Sequence, residues 1–105
     1  MKKLIISGML AGLTWALLLT PCLAADGKGL FIEKCGSCHK TNGEAATFAA
    51  TKYASMQWDR FFERNKHQRK KDITALVTAS ELNDIKEYLV SHAADSDQPE
   101  AVGLR

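Results

Sequence analysis

Cys35-Gly36-Ser37-Cys38-His39 sets two thiols three positions apart and an imidazole directly after the second. This C-x-x-C-H spacing is the attachment box of c-type haem. Its chemistry follows from the geometry of one helical turn. Each thiol can form a thioether with one of the two haem vinyl groups, and the next residue then supplies an axial imidazole to the iron. Two other chemistries use the same residue types. A thioredoxin-like redox pair needs a surrounding βαβ pattern, and the chain has none. A zinc site needs four ligands, commonly a second Cys or His pair at fixed spacing. Outside the box the histidines are His67 and His92, 25 residues apart, and the third cysteine is Cys22. Covalent haem is therefore the expected cofactor, with Cys35 and Cys38 holding the ring and His39 as an iron ligand.

The elements around the box must present it to one face. At 105 residues there is room for one small domain. Met1-Lys2-Lys3 is a basic start, Leu4 to Leu19 carries no charge, and small residues at Ala24 and Ala25 precede the first acid, Asp26. This pattern predicts a secretory signal peptide over residues 1–24. A retained membrane anchor is the alternative, although the apolar stretch is short for a span and is interrupted by Ser7, Gly8, Gly12 and Thr14. A lipoprotein signal ending at Cys22 fits poorly, because Pro21 stands where a small residue is needed. Removing Lys2 and Lys3 from the 14 basic residues leaves 12 against 12 acidic ones, so the expected mature chain is formally neutral. Cys22 leaves with the signal, and the two remaining cysteines are those of the box. Haem attachment to cysteine belongs to the far side of the bacterial cytoplasmic membrane, so signal and box agree on a periplasmic location. A mature chain of about 80 residues is near the lower limit for a self-sufficient core. A porphyrin would supply much of that core.

Residues 25–94 are expected to form the folded domain. Gly27 to Lys34 reads as a short helix with Gly27, Phe31 and Cys35 at successive steps of four. Gly27 would let another helix cross closely beside Phe31. Asn42-Gly43 signals a turn after the box. Glu44 to Ala54 reads as a loop with a helical turn, with Phe48 and Tyr53 as wall residues. Ser55 is a candidate N-cap for a second helix reaching Lys66, with Trp58, Phe61, Phe62 and Asn65 on one side. Trp58 or Phe61 is expected against the porphyrin. Thr78-Ala79-Ser80-Glu81 is a capping box, and Leu82, Ile85, Leu89 and His92 continue it as a helix from Ala79 to Ala93. Residues 95–105, with Pro99 and Gly103, read as a flexible tail.

Between Arg60 and Lys71 the chain holds Arg60, Arg64, Lys66, Arg69, Lys70 and Lys71 against Glu63 alone. Such a run is a solvated face, a contact to haem propionates or a docking patch for an acidic protein. Nucleic acid is not an expected partner of an exported haem protein.

The order of short helix with Gly27 and Phe31, then box, loops and a last helix with Ile85, Tyr88 and Leu89 resembles the class I cytochromes c. The resemblance covers essentially the whole mature chain as a pattern, and the box is its specific part. It implies an all-α fold of short helices wrapped around one covalent haem c. In that family the glycine and aromatic of the first helix cross the aliphatic and aromatic residues of the last. Most members take a methionine as second axial ligand, on a loop shortly before the last helix. Here the mature chain departs from the pattern, because Met56 lies only 17 residues beyond His39. His67, 11 residues before Thr78, falls nearer the family's ligand position and is the expected distal ligand to iron. Met56 is the alternative. A third option is an open sixth position, since Arg64-Asn65 also resembles a small group of high-spin members that use an asparagine there. The expected function is single-electron transfer between redox partners, with no catalytic residue. A monomer is expected, working with soluble proteins or as one step in a membrane complex. The competing function is a gas-binding or sensing haem protein with an exchangeable sixth ligand.

Overall fold

The computed structural model describes residues 26–105. The expected signal segment 1–24 lies outside the described residues. The first helix, α1 (Gly27–Lys34), starts because the Asp26 carboxylate accepts the free Lys28 N–H at 3.2 Å. It tightens at its far end into a 3₁₀ turn, Cys35–Ser37. The loop that follows contains a second 3₁₀ turn, Ala50–Lys52, and leads into α2 (Ser55–Glu63), α3 (Lys66–Lys70) and α4 (Ala79–Ser91). Regular structure among the described residues is therefore helical, and strand-type pairing is limited to one isolated bridge between His39 and Ala45. The fold is all-α. No helix of the described residues is long and apolar enough to cross a membrane.

The core forms where α1 and α4 cross. A Cβ on Gly27 would overlap the Asp84 carbonyl oxygen and press to 3.0 Å on Tyr88 Cβ, so only glycine allows this approach. Phe31 lies one turn further along α1, with its ring centre 5.5 Å from Tyr88 and 5.2 Å from Phe48. Phe31, Ile85 and Leu89 are essentially removed from solvent. Helix α4 is held at its start by reciprocal capping. Thr78 Oγ1 accepts from the Glu81 N–H at 3.1 Å, and the Glu81 carboxylate accepts from the Thr78 N–H at 3.0 Å.

Helix α2 packs on α4 through Trp58, whose indole N–H donates to the buried Ala50 carbonyl at 2.7 Å. Its ends differ from the expected ones. Ser55 is the first helical residue, not the cap. Its hydroxyl donates to the Val90 carbonyl across the α2–α4 contact at 2.9 Å, and Gln57 accepts the Ala54 N–H instead. The helix stops at Glu63 and not at Lys66, because Asn65 adopts a left-handed conformation with φ of 49°. Asparagine tolerates that region better than other side chains, and the chain resumes as the five-residue α3 in a new direction.

The segment 95–105 is packed, in contrast to the free tail that its composition suggests. Asp95 accepts the Ser55 N–H at 2.7 Å, Glu100 pairs with Lys28 at 2.5 Å, and the Leu104 N–H donates to Phe48 at 3.0 Å. Leu104 is buried in the core beside Gly36 of the box turn and Phe48. Gly103 makes this return path possible, since a Cβ there would strike the Phe48 carbonyl and Ala49. One apolar residue in a polar stretch is a weak sequence signal for such docking.

Candidate functional site

The end of α1 delivers the box. His39 N–H closes onto the Cys35 carbonyl at 2.9 Å and Cys38 N–H onto the same oxygen at 3.3 Å, so the two cysteines and the histidine share one tight turn. Both cysteines are free. Burial pushes the Cys35 thiol up to about 11, which keeps it protonated at neutral pH. The Cys35 thiol is thus not activated as a nucleophile by its surroundings. Among the described residues no group of three or more His, Cys, Asp and Glu side chains gathers as a metal site. The four-ligand zinc alternative therefore finds no donor set there.

The Asn42-Gly43 turn directs the loop back over the box. Asn42 takes a left-handed φ of 61°, Gly43 N–H donates to Lys40 at 2.8 Å, and Ala45 N–H donates to Cys38 at 3.1 Å. This return places the Ala46 carbonyl 2.7 Å from His39 Nδ1. A carbonyl can only accept, so Nδ1 carries the proton and Nε2 keeps its lone pair for a metal. Phe48 stands edge-on to the same ring at 4.8 Å and limits its rotation.

His67 is fixed in the same way. It lies on α3, and its Nδ1 is 3.0 Å from the Lys71 carbonyl at the end of that helix. Nε2 is again left with its lone pair. The ring centres of His39 and His67 are 6.2 Å apart. Their planes are inclined at 67°, and the rings stand close enough that His39 and His67 would be the residues to hold one metal ion between them. Backbone acceptors on the outer nitrogens of both rings are the usual second layer of a histidine metal site.

A narrow cleft beside His67 is lined by Phe61, Phe62, Asn65, Gln68 and Leu82. Lys71 closes the far end of α3 with its Nζ 2.5 Å from Glu44 Oε2 and 4.0 Å from Cys38 Sγ. The hydrogen bond between Glu44 and Lys71 lowers the carboxyl's pKa and raises the amine's, so both stay charged.

The fold thus brings together Cys35, Cys38, His39 and His67. Met56 is 63% exposed at the start of α2 and is not among these residues. Asn65 is an exposed hinge residue at the edge of the cleft. His92 caps the end of α4, with Nδ1 2.7 Å from the Gln98 carbonyl, as expected of a helix-end residue. The carbonyls of Ala46 and Lys71, and the Glu44 carboxylate, are site groups the sequence does not announce. Backbone acceptors have no residue type, and only the Asn42-Gly43 turn hints at one of them. Comparisons of the chain with protein-family models, curated proteins and solved structures give no match.

Proposed function

We propose that this chain is a small exported cytochrome of the c type, carrying single electrons between redox partners. The observation that carries the reading is the pair of imidazoles 6.2 Å apart, each with Nδ1 on a backbone carbonyl, beside the two box thiols. Cys35 and Cys38 would hold the haem, with His39 as the proximal ligand and His67 as the distal one. When bound, the haem supplies a one-electron couple at its iron. The protein's own part is to fix both rings in one tautomer, so that little rearranges when charge changes. Two imidazoles favour a lower potential than an imidazole and a thioether. The α1–α4 crossing, with Gly27 and Phe31 against Ile85, Tyr88 and Leu89, supports a class I cytochrome c-like wrapping. The export expected from residues 1–24 is part of the same reading.

Arg60, Arg64, Lys66, Arg69 and Lys70 are exposed, and none takes part in an ion pair among the described residues. They flank His67 on α2 and α3, which favours an acidic redox partner steered to this face. Electron exchange with such a partner should slow steeply as salt rises. Arg69→Gln with Lys70→Gln should lower the low-salt rate about tenfold, within the range steering supplies, and leave the haem spectrum unchanged. A rate indifferent to both salt and these charges would remove the docking assignment.

The competing reading is a gas-binding haem protein whose sixth ligand exchanges. Its support is the shortness of α3, a five-residue helix hinged at Asn65. Mixing the reduced protein with carbon monoxide separates the two. Slow binding, at a rate that levels off with gas concentration, fits two firm ligands. Fast binding that rises linearly with gas concentration fits the exchangeable site.

A further inference from the structure

The two carbonyls that fix the imidazoles belong to segments far apart in the chain, and one ion pair joins those segments. Glu44 sits two residues before Ala46, which holds His39. Lys71 is itself the residue whose carbonyl holds His67. Their side chains meet at 2.5 Å across a sequence separation of 27. Among the described residues it is the only ion pair that anchors α3 and its C-cap to another part of the fold. The same Lys71 amine also lies 4.0 Å from Cys38 Sγ, and the side-chain hydrogen bonds of residues 66–70 are local, such as Gln68 accepting from Ile73 at 3.0 Å.

We propose that the Glu44–Lys71 ion pair is a latch that holds His67 opposite His39 and sets how often the distal imidazole lets go. The proposal rests on His67 being the distal ligand. When the latch is closed, the Lys71 carbonyl and the His39 loop move as one unit, and the His67 ring keeps its orientation. When it opens, α3 can swing about the left-handed Asn65 and carry His67 away from the iron side of the box. Glu44 and Lys71 are thus positioning residues: Lys71 meets the His67 ring through its backbone carbonyl, and the ion pair of the two side chains acts through that contact.

The ion pair is solvent-exposed, so its effect is moderate and screened by salt. The test is the plateau rate of carbon monoxide binding to the reduced holoprotein, the regime in which release of His67 limits the reaction. At low salt Glu44→Gln should raise that rate about threefold, the size expected of an exposed ion pair. The oxidised spectrum and the melting temperature should stay as in the parent protein. At high salt parent and variant should converge. The exchanged pair, Glu44→Lys with Lys71→Glu, should return the rate to near the parent value. A low-salt plateau rate unaltered by Glu44→Gln, or an exchanged pair as fast as Glu44→Gln, would overturn the latch. If His67→Ala leaves the parent spectrum unchanged, the ligand assignment has failed, and that outcome is distinct from a latch without effect.

Discussion

His67→Ala is expected to turn the oxidised protein from low spin to high spin. The substitution would remove one of two strong-field nitrogen ligands, and the Lys71 amine, the nearest other nitrogen donor, is held by Glu44. Met56 is 63% exposed at the start of α2 and cannot substitute without a rearrangement of that helix. The reduced variant should then bind carbon monoxide in a simple second-order step. If the parent's sixth position is open about 1% of the time, freeing it raises apparent affinity about 100-fold. The reduction potential should rise as the electron-donating imidazole is lost. Optical spectra of both oxidation states and a gas titration measure all three changes. Met56→Ala provides the comparison and should alter none of them.

Gly27→Ala should be the most damaging small substitution in the first helix. The new methyl group meets the Asp84 carbonyl and Tyr88 Cβ, which belong to the backbone and the root of a side chain and cannot rotate away. The helices must separate, which loosens Phe31 against Tyr88 and Ile85. Overpacking of this kind costs about 2 kcal/mol. The gain in helix propensity is small at the first helical position, where the residue is only half committed to the helix. For a domain of this size the loss corresponds to a fall in melting temperature of roughly 10 °C. Thermal unfolding followed by circular dichroism checks it. Gly29→Ala is a useful control, since a Cβ there would meet only the Asp26 side chain.

These two positions also mark what can be read from the residues alone. Gly27 and Phe31 at a step of four encode a close helix approach through size and periodicity, whereas the pairing with Ile85, Tyr88 and Leu89 is implied by the family pattern, and α1 and α4 do meet there. Thr78 and Glu81 encode the start of α4 for the same reason, since a local hydrogen-bond pattern is written in residue type. His67 is different. Sequence position relative to a family pattern singled it out, whereas its approach to His39 depends on the left-handed turn at Asn65 and the separate helix α3. Periodicity suggested that α2 would run through that turn. The aromatic spacing of Trp58, Phe61 and Phe62 continues smoothly to Asn65 and hides the break. The packed 95–105 segment was hidden as well, because it is held by backbone hydrogen bonds, one carboxylate pair and Leu104. Low hydrophobic content describes such a segment correctly but does not say where its single anchor goes.

The basic run shows the same division. Its charge is plain in composition, but only the fold reveals that Lys71 is committed to Glu44 while its five neighbours face solvent without ion-pair partners among the described residues. A lysine in a charged stretch thus becomes a structural tie between the two loops that hold the imidazoles. The thiols divide similarly. Spacing defines the pair, and only the fold shows that Cys35 is the more enclosed thiol, with its pKa raised by burial.

His39 and His67 are proposed as the two axial ligands of one covalently held haem. The near-infrared spectrum of the oxidised holoprotein addresses this assignment directly, because the iron charge-transfer band reports the ligand pair. A low-spin band of the two-imidazole type is expected, lost in His67→Ala and retained in Met56→Ala. A methionine-type band that disappears in Met56→Ala, or a high-spin spectrum in the parent protein, would contradict it.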